Sequence, residues 1–207
     1  EMRKESAQEW RITMKKVDLH VHSTYSDGTN TPKELIKLAE NEGLSAIALT
    51  DHDTLDGIPD ALDAAKNSSV ELIPGVELST NFNNTEVHIV GLFLDHNNKQ
   101  INDYLIYQRQ SRIDRNIQMC QKFCDIGINI TYDKMCELYP DAVITRAHFA
   151  DYLVKNKYTG DRNEAFDRYL SPGKPCFVNR HKVDPEEAIA VIHKAHGAAI
   201  LAHPVLY

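Results

Sequence analysis

Two histidines two residues apart, with acidic residues on both sides, are the clearest sign of chemistry in this sequence. They lie in the stretch VDLHVHSTYSDG, residues 17–28. Apolar residues alternate there with Asp18, His20 and His22, which is the period of a β-strand with one apolar and one ionisable face. An Asp-His-His face is unusual if solubility is its only purpose. The question is whether this face meets water or a metal ion.

Further ionisable side chains fall at or near the ends of predicted strands. They are Asp27 after the first strand, Asp51, His52 and Asp53 after AIALT, Glu77 after ELIPGV, His88 within EVHIVG, and His203 after AAILA. In parallel α/β folds the carboxyl ends of the strands converge on the active site, so we expect these side chains to lie together. Imidazoles and carboxylates without thiolates suit divalent manganese, iron or zinc. Roughly six to eight ligands exceed the four of one tetrahedral ion. We therefore predict several ions, with a carboxylate such as Glu77 available as a bridge.

Single histidines carry less weight, because a lone histidine on a strand is usually structural or exposed. That ordinary interpretation is kept for His96, His181, His193 and His196. Asp18 either orients a ligand histidine or is a strand-end acid. Asp51 and Asp53 flank His52, and each is a ligand, an orienting group or a loop cap. For Asp53 we favour a turn acid, with the N-cap of the next segment as a further role.

The elements that must position these residues follow an α/β order in the first half of the chain. Thr31-Pro32-Lys33-Glu34 predicts a capping box, with Thr31 as N-cap and proline at N1, for a helix that ends at Gly43. Strands are predicted at 45–50, 70–77 and 86–94, with a helix near 57–66. Strands alternating with helices are typical of a parallel sheet or barrel.

The alternation of strands and helices ends at about residue 98 and resumes near residue 181. We predict a leader at 1–13, the first part of a barrel at 14–97, an inserted and mostly helical subdomain at 98–180, and the barrel continued at 181–207. Within the insert, helices are predicted at 99–126, 133–138, 146–157 and 162–170. Asp184-Pro185-Glu186-Glu187 then begins a helix, and AAILAHP (198–204) is a strand. A barrel needs more strands than these, so we expect the sequence to be cut short at its C-terminal end.

Composition limits the classes of protein. The 207 residues are 42% hydrophobic and 26% charged, without an apolar run long enough to span a bilayer or a signal-peptide core. We expect no membrane association and a cytoplasmic location. Four cysteines, at 120, 124, 136 and 176, fit no zinc pattern and are expected to be buried reduced thiols. A net charge of −7 argues against stable DNA binding but not against small anionic substrates, since bound cations reverse the local charge.

The motifs DLHVHSTYSDG, LTDHDT, PGVELS, VHIVG and LAHP, in this order, resemble those of the PHP (polymerase and histidinol phosphatase) family of the amidohydrolase superfamily. They cover residues 17–204. ITRAHFADYLV and AFDRYLSPGKPCFV resemble the inserted segment of the stand-alone phosphoesterase branch. Some members of that branch remove the 3′-phosphate from nucleoside 3′,5′-bisphosphates or trim short RNA from its 5′ end. The resemblance implies a distorted (β/α)7 barrel and a trinuclear site of manganese, iron or zinc.

The resemblance also implies which residues hold each ion. The first ion takes His20, His22 and Glu77, the second takes Glu77, His88 and His203, and the third takes Asp27 and His52. The family's late Asp-x-His motif is absent from this sequence. Two or three ions per chain are therefore expected.

The activity that the resemblance implies is metal-dependent hydrolysis of a phosphate monoester, with a metal-bridging hydroxide as nucleophile. Glu77, as the bridge, and Asp51, as proton donor to the leaving oxygen, are the predicted catalytic residues; an unligated histidine is the alternative donor. Arg146 and His148 are the predicted substrate contacts. A guanidinium matches phosphate oxygens, although spacing alone favours an exposed arginine at a helix start. We expect Arg146 and His148 to hold a phosphate that is not being cleaved.

Three functions follow. The first is a phosphoesterase for a small phosphorylated substrate, either a nucleotide such as a nucleoside 3′,5′-bisphosphate or a short RNA 5′ end. The second is a phosphatase for a non-nucleotide metabolite such as histidinol phosphate. The third is a non-catalytic metal-binding module that stabilises a larger assembly. The third predicts lost ligands, whereas every motif present in this chain retains its ligands.

Overall fold

The structure is a computed structural model that describes residues 15–83, 85–180 and 183–206. The predicted leader and His181 lie outside these residues. The strands are β1 Lys16–Val21, β2 Leu44–Leu49, β3 Glu71–Phe82, β4 Thr85–Leu92 and β5 Ala198–Leu201. The helices are α1 Pro32–Asn41, α2 Ile58–Ala65, α3 Lys99–Asp125, α4 Tyr132–Leu138, α5 Arg146–Lys155, α6 Arg162–Ala165 and α7 Pro185–Lys194. A π-helical turn, Phe166–Leu170, continues α6, and a 3₁₀ turn, Pro204–Leu206, follows β5.

The five strands form one curled, half-barrel sheet in the order β1-β2-β3-β4-β5. The first three strands are parallel, whereas β4 is antiparallel to both β3 and β5. The predicted α/β class is confirmed. The expectation of parallel strands throughout is wrong at β4, because the connection between β3 and β4 is too short for a crossover and allows only a hairpin.

The two faces of the sheet bury different side chains. On β2, Ile47 and Leu49 belong to the core formed with α1, α2, α7 and the start of α3, whereas Ala46 and Ala48 face a smaller core on the other side. A strand buried on both faces reads as a continuous apolar run, which explains SAIAL. The capping box at Thr31 is confirmed, since Glu34 N–H donates to its hydroxyl and Thr31 N–H donates to Glu34 Oε2.

The predicted helices of the insert are confirmed to within two residues at their ends. They enclose a second apolar core that includes Phe123, Phe149 and Leu153. Helix α3 joins the two cores: Ile101 lies in the first and Phe123 in the second. The boundaries of the predicted segments stay predictions. No helix in the described part of the chain combines the length and apolar character needed to cross a membrane.

The cysteines are all free but differ in burial. Cys120 and Cys176 are buried, whereas Cys124 and Cys136 are exposed. The expectation of buried thiols is therefore wrong for two of the four. Cys124 follows the buried core residue Phe123 near the end of α3, but lies on the exposed side of the helix.

Candidate metal centre

Glu77 lies at the centre of a cluster of histidines. It is 1% exposed, and its two carboxylate oxygens face different imidazoles. Oε2 lies 3.0 Å from Nε2 of His20 and 3.0 Å from Nε2 of His22. Oε1 lies 2.8 Å from Nδ1 of His88 and 3.0 Å from Nε2 of His203. One oxygen for each pair of rings is the arrangement that a carboxylate bridging two ions requires.

The sheet brings these residues together in two ways. Three histidines lie at or just after the carboxyl ends of β1, β2 and β5, as expected: His20, His52 and His203. Glu77 instead lies in the middle of β3, where its backbone pairs with that of His52 in an isolated parallel β-bridge. His88 is paired with Ser79 on antiparallel β4, so it reaches the cluster from the amino-terminal half of its strand. Because β4 runs antiparallel to β3, the amino-terminal half of β4 lies beside the carboxyl ends of the other strands.

The loop after β1 is held by Asp51. This carboxylate is 2% exposed and accepts hydrogen bonds from Ser23 N–H at 2.7 Å, Ser23 Oγ at 2.6 Å and Ser26 Oγ at 2.6 Å. Burial raises the pKa of Asp51, which would suit a proton donor. Both oxygens, however, already accept hydrogen bonds from the loop. These contacts favour a positioning role, and the catalytic role stays a prediction.

Ser26 transmits this positioning to His22. Its hydroxyl donates to Asp51 and lies 3.2 Å from Nδ1 of His22, so its oxygen can accept the Nδ1 proton. With an ion bound, an imidazole that keeps its proton on Nδ1 would offer the ion the lone pair of Nε2, the nitrogen that faces Glu77. Fixing the tautomer through the second nitrogen is the usual way in which proteins orient a metal-binding histidine.

Asp27 and His52 lie on the other side of His22. Asp27 Oδ1 is 3.4 Å from Nδ1 of His22, and its Oδ2 is 3.6 Å from Nε2 of His52. The loop returns tightly at Gly28, where a Cβ atom would lie 2.1 Å from the carbonyl oxygen of His22. Any side chain at this position would therefore displace the loop that carries Asp27.

The residues fit divalent cations. Five imidazoles lie with neighbouring ring centroids 4.6–5.8 Å apart: His20, His22, His52, His88 and His203. Three groups of ligand atoms are compact enough for an ion: His20–His22–Glu77, His22–Asp27–His52 and His52–Glu77–His88. Nδ1 of His52 is buried and lies 3.4 Å from Glu77 Oε2, but makes no hydrogen bond to any described residue. An unsatisfied buried nitrogen among imidazoles and carboxylates is what a missing ligand–metal bond leaves behind.

Protonation in the cluster follows from burial and from Glu77. Burial lowers the pKa of His52 to about 3, which keeps its ring neutral. Burial also disfavours the charged form of His88, but hydrogen bonds to Glu77 and Glu86 outweigh it and raise the pKa of His88 to about 9. Burial opposes ionisation of Glu77 as well, yet hydrogen bonds from His20 and His22 hold its pKa well below the ordinary value. The Glu77 carboxylate is therefore ionised.

Asp53 anchors the cations that surround the site. It is fully buried, has a φ of 53°, and accepts hydrogen bonds from Arg112, from Arg180 at 2.8 Å and from Ser79 N–H at 3.1 Å. Burial would raise the pKa of Asp53, but the two arginines hold it well below the ordinary value. The turn prediction is correct for the backbone, and the ion pairs are an addition to it. A left-handed aspartate next to His52 is backbone strain at a functional site.

Arg146 lies over the metal centre. It is the first residue of α5, pairs with Glu86, and lines a cavity of about 150 Å³ together with Asp27, His52 and His88. This places Arg146 beside three of the candidate metal ligands. Its role as a substrate contact is carried forward as a proposal.

His148 is placed differently. It is 4% exposed, its Nδ1 accepts the Thr145 N–H at 2.9 Å, and the ring also bonds the backbone of Ser26. Its ring centroid is 4.2 Å from that of Tyr139. These contacts make it the N3 partner of Thr145 in the capping box of α5 and a support for the Asp27 loop. A direct contact with substrate stays a prediction that this geometry does not favour. Asp18, the other open position, only accepts from His20 N–H at the strand surface.

Sequence reasoning missed several residues around the site. They are Ser26, Ser79, Glu86, Arg112, Arg115 and Thr145. One signal was available for α3. Gln108, Arg112, Arg115 and Asn116 recur at helical spacing on its buried face, where apolar residues are expected. A polar segment within a buried helical stripe marks the place where the helix crosses a polar site.

Comparison with known proteins agrees with this geometry. The chain is 44% identical to a 5′-3′ exoribonuclease of Haemophilus influenzae, over 93% of this chain and 70% of that protein. It is 36% identical to a 3′,5′-nucleoside bisphosphate phosphatase of Chromobacterium violaceum, over 94% of this chain and 68% of that protein. The solved structure of a proposed metal-dependent phosphoesterase from Bifidobacterium adolescentis matches with a TM-score of 0.85 and 28% identity, over 91% of this chain and 67% of that one. The chain thus spans about two thirds of each of these proteins.

The curled sheet and its histidine–carboxylate cluster define the class of metal-dependent hydrolases. The PHP domain family matches residues 18–198 of this chain, and the chain belongs to that family.

Proposed function

We propose that this chain forms the catalytic centre of a phosphoesterase that removes a phosphate from a nucleotide, such as a nucleoside 3′,5′-bisphosphate, or acts at the 5′ end of short RNA. The observation that carries the proposal is the cavity in which Arg146 lies beside Asp27, His52 and His88. A guanidinium next to a cation-binding cluster suits a phosphate, whose oxygens need positive charge on more than one side. The relatives from Haemophilus influenzae and Chromobacterium violaceum support a nucleotide or RNA substrate.

Each residue has a defined part in this proposal. Glu77 would be shared by two ions, one held with His20 and His22 and the other with His88 and His203, while Asp27 and His52 would hold a third. Bound divalent ions supply Lewis-acid charge for a phosphoryl group and make a water molecule nucleophilic near neutral pH. Arg146 would bind the phosphate oxygens. Asp51 would keep His22 and the Asp27 loop in position through Ser26.

Phosphate release tests the proposal directly. The protein, loaded in turn with Mn²⁺, Fe²⁺ or Zn²⁺, would be assayed with a nucleoside 3′,5′-bisphosphate, a 5′-phosphorylated oligoribonucleotide, histidinol phosphate and an aryl phosphate. We expect the highest kcat/KM on one of the two nucleotidic substrates. Preference for histidinol phosphate would make this a metabolite phosphatase. Absence of turnover on every substrate by metal-loaded protein would indicate a non-catalytic metal-binding module.

A further inference from the structure

Arg115 on α3 is a buried cation that forms no ion pair with any described residue, although the charge of Glu86 acts on it. It is 4% exposed; its Nε donates to Asn116 Oδ1 at 2.9 Å, and its Nη2 makes no hydrogen bond within the described residues. Burial lowers its pKa well below the usual value, and the nearby charges of Arg112 and Arg146 lower it further. A buried charge is costly when it is unpaired, so a group that completes its coordination is expected.

The surroundings of Arg115 carry a surplus of positive charge. Four guanidinium groups act on one another here, those of Arg112, Arg115, Arg146 and Arg180. Two carboxylates oppose them. Asp53 pairs with Arg112 and Arg180, and Glu86 pairs with Arg146 while also contacting His88. Of these four groups, Arg115 is the one that forms no ion pair within the described residues, so an anion such as a phosphate would complete its coordination.

Arg115 lines a cavity that has room for more than an ion. The cavity, of about 450 Å³, lies between α3 and the segment 179–180 and falls within the range of small-molecule sites. Its polar donors include Ser111, Gln118 and Asn179, and Tyr107 presents an exposed aromatic ring at its edge. Among the described residues that line this cavity, the acid is Asp114, which is exposed and accepts a hydrogen bond from the Gln110 side chain.

A space of about 20 Å³ lies between this cavity and the cavity that contains Arg146. This space shares Arg115, Asn179 and Arg180 with the large cavity, and shares Ser79 and Glu86 with the cavity that contains Arg146. Two phosphate groups joined through a ribose could therefore lie with one beside Arg146 and the other beside Arg115.

We propose that this cavity is a second phosphate site, in which Arg115 binds a phosphoryl group next to the scissile one and the adjoining nucleoside lies near Tyr107. The proposal rests on the proposed phosphoesterase function for the identity of the ligand. The phosphoryl group is either the second phosphate of a nucleoside bisphosphate or the next phosphodiester of an RNA chain. An aromatic ring beside a cationic groove is a common way to hold a nucleotide without reading its base.

Thermal melting of the metal-loaded protein tests the site without any turnover. Inorganic phosphate is the probe, and chloride at equal ionic strength is the reference. In chloride, Arg115→Met should melt no lower than wild type, because the variant removes an unpaired buried charge. In phosphate the order should reverse, because wild type gains a ligand that the variant has lost. Arg109→Met is the matched control: it removes a cation from the same helix, but one that pairs with Asp56, and should show no reversal.

A second variant covers the case in which Arg115→Met is unstable. Asn179→Asp keeps the size of an exposed side chain and places a carboxylate in the lining of both the large cavity and the smaller space. We expect this variant to lose most of the rise in melting temperature that phosphate binding in the cavity gives to wild type. If both Arg115→Met and Asn179→Asp retain the full shift of wild type in phosphate, the site does not exist as proposed.

Kinetics identify what occupies the site. For Arg115→Met we expect KM to rise about ten- to hundredfold, as for the loss of a charge-assisted contact, on the nucleoside bisphosphate, the 5′-phosphorylated dinucleotide or both. The rise should be much smaller on an aryl phosphate, which has no second phosphate. A reversal in melting combined with an unchanged KM on both nucleotides would reject the substrate assignment and point to free inorganic phosphate. Failure of the proposed function alone would instead leave the melting reversal intact while wild type turns over neither nucleotide.

Discussion

Thr145 donates its hydroxyl to Oδ2 of Asp27 at 3.0 Å, across 118 positions of sequence. The hydroxyl oxygen of Thr145 also accepts the Ala147 N–H at 3.1 Å, so Thr145 is the N-cap of α5. One side chain thus begins a helix of the insert and orients a predicted metal ligand in the barrel. The position of the insert and the geometry of the metal centre are therefore linked.

Replacing this threonine should separate its two roles. Thr145→Val loses the cap and the bond to Asp27, whereas Thr131→Val loses only the cap of α4, where Thr131 accepts the Lys134 N–H. We expect both variants to lose about 1 kcal/mol of stability in urea unfolding. Only Thr145→Val should also lose metal affinity, by about ten- to hundredfold, measured by competition with a chelator. Equal metal affinity in the two variants would show that Asp27 needs no support from the insert.

Asp51→Asn should weaken metal binding without changing how kcat/KM depends on the leaving group of the substrate. The amide cannot accept all three hydrogen bonds from Ser23 and Ser26, so the loop and the tautomer of His22 lose their support. We expect kcat/KM to fall about ten- to hundredfold to the same extent for aryl and alkyl phosphates. Asp60→Asn, which removes the exposed partner of the Tyr25 hydroxyl in the same loop, is the control. A much larger loss on alkyl phosphates would restore Asp51 as the proton donor.

Glu77→Gln should abolish activity and lower metal content while the fold persists. A neutral amide cannot offer one anionic oxygen to each of two ions, and a two-metal site needs them at a fixed separation of roughly 3.5–4 Å. We expect at least two transition-metal equivalents per chain in wild type by elemental analysis, and at least one fewer in the variant. Glu71→Gln, at the exposed start of β3, should retain both metal and turnover. Near-normal turnover by Glu77→Gln with an unchanged circular dichroism spectrum would contradict the bridging role.

Arg146→Ala should reduce activity on every phosphate ester. Arg146 shares its cavity with metal ligands, so we expect it to touch the reacting phosphate and not only a distant one. Loss of a charge-assisted contact predicts a fall in kcat/KM of about ten- to hundredfold for an aryl phosphate and a nucleoside bisphosphate alike. Arg162→Ala, at the corresponding first position of α6 but paired with Asp151 at the surface, is the control. A fall in kcat/KM confined to the bisphosphate would indicate that Arg146 binds the phosphate that is not cleaved.

Two of the four thiols should react with a disulfide reagent at pH 8 before unfolding, and two only after it. Burial raises the pKa of Cys120 to about 12 and that of Cys176 to about 11, which leaves little of the reactive thiolate in the folded state. Cys124 and Cys136 are exposed. Raising the pH toward 11 should accelerate the slow thiols. Four equally fast thiols at pH 8 would show that the insert opens readily in solution.

Local patterns were sufficient for the elements and for most of the candidate ligands. The Thr31 capping box, the insert helices and the strands around SAIAL follow from short-range rules of capping and periodicity. The candidate ligands could be read as ionisable residues on or just after predicted strands, and the structure brings these seven side chains together. Family resemblance added the grouping around Glu77. Such features depend on residues close together in sequence, and the sequence states them directly.

The tertiary structure decided which side chains meet across long separations. Whether Asp51 is an acid or a prop depends on Ser23 and Ser26, and the partners of Asp53 are arginines far along the chain, on α3 and after the insert. The direction of β4 depends on a hairpin closing on the curled sheet, and this direction brings His88 to Glu77 from the opposite side. Periodicity identifies a buried face but not what lies opposite it. The sequence therefore determined which groups were available for chemistry. Packing decided which of them carry charge, which remain unpaired and which only position the others.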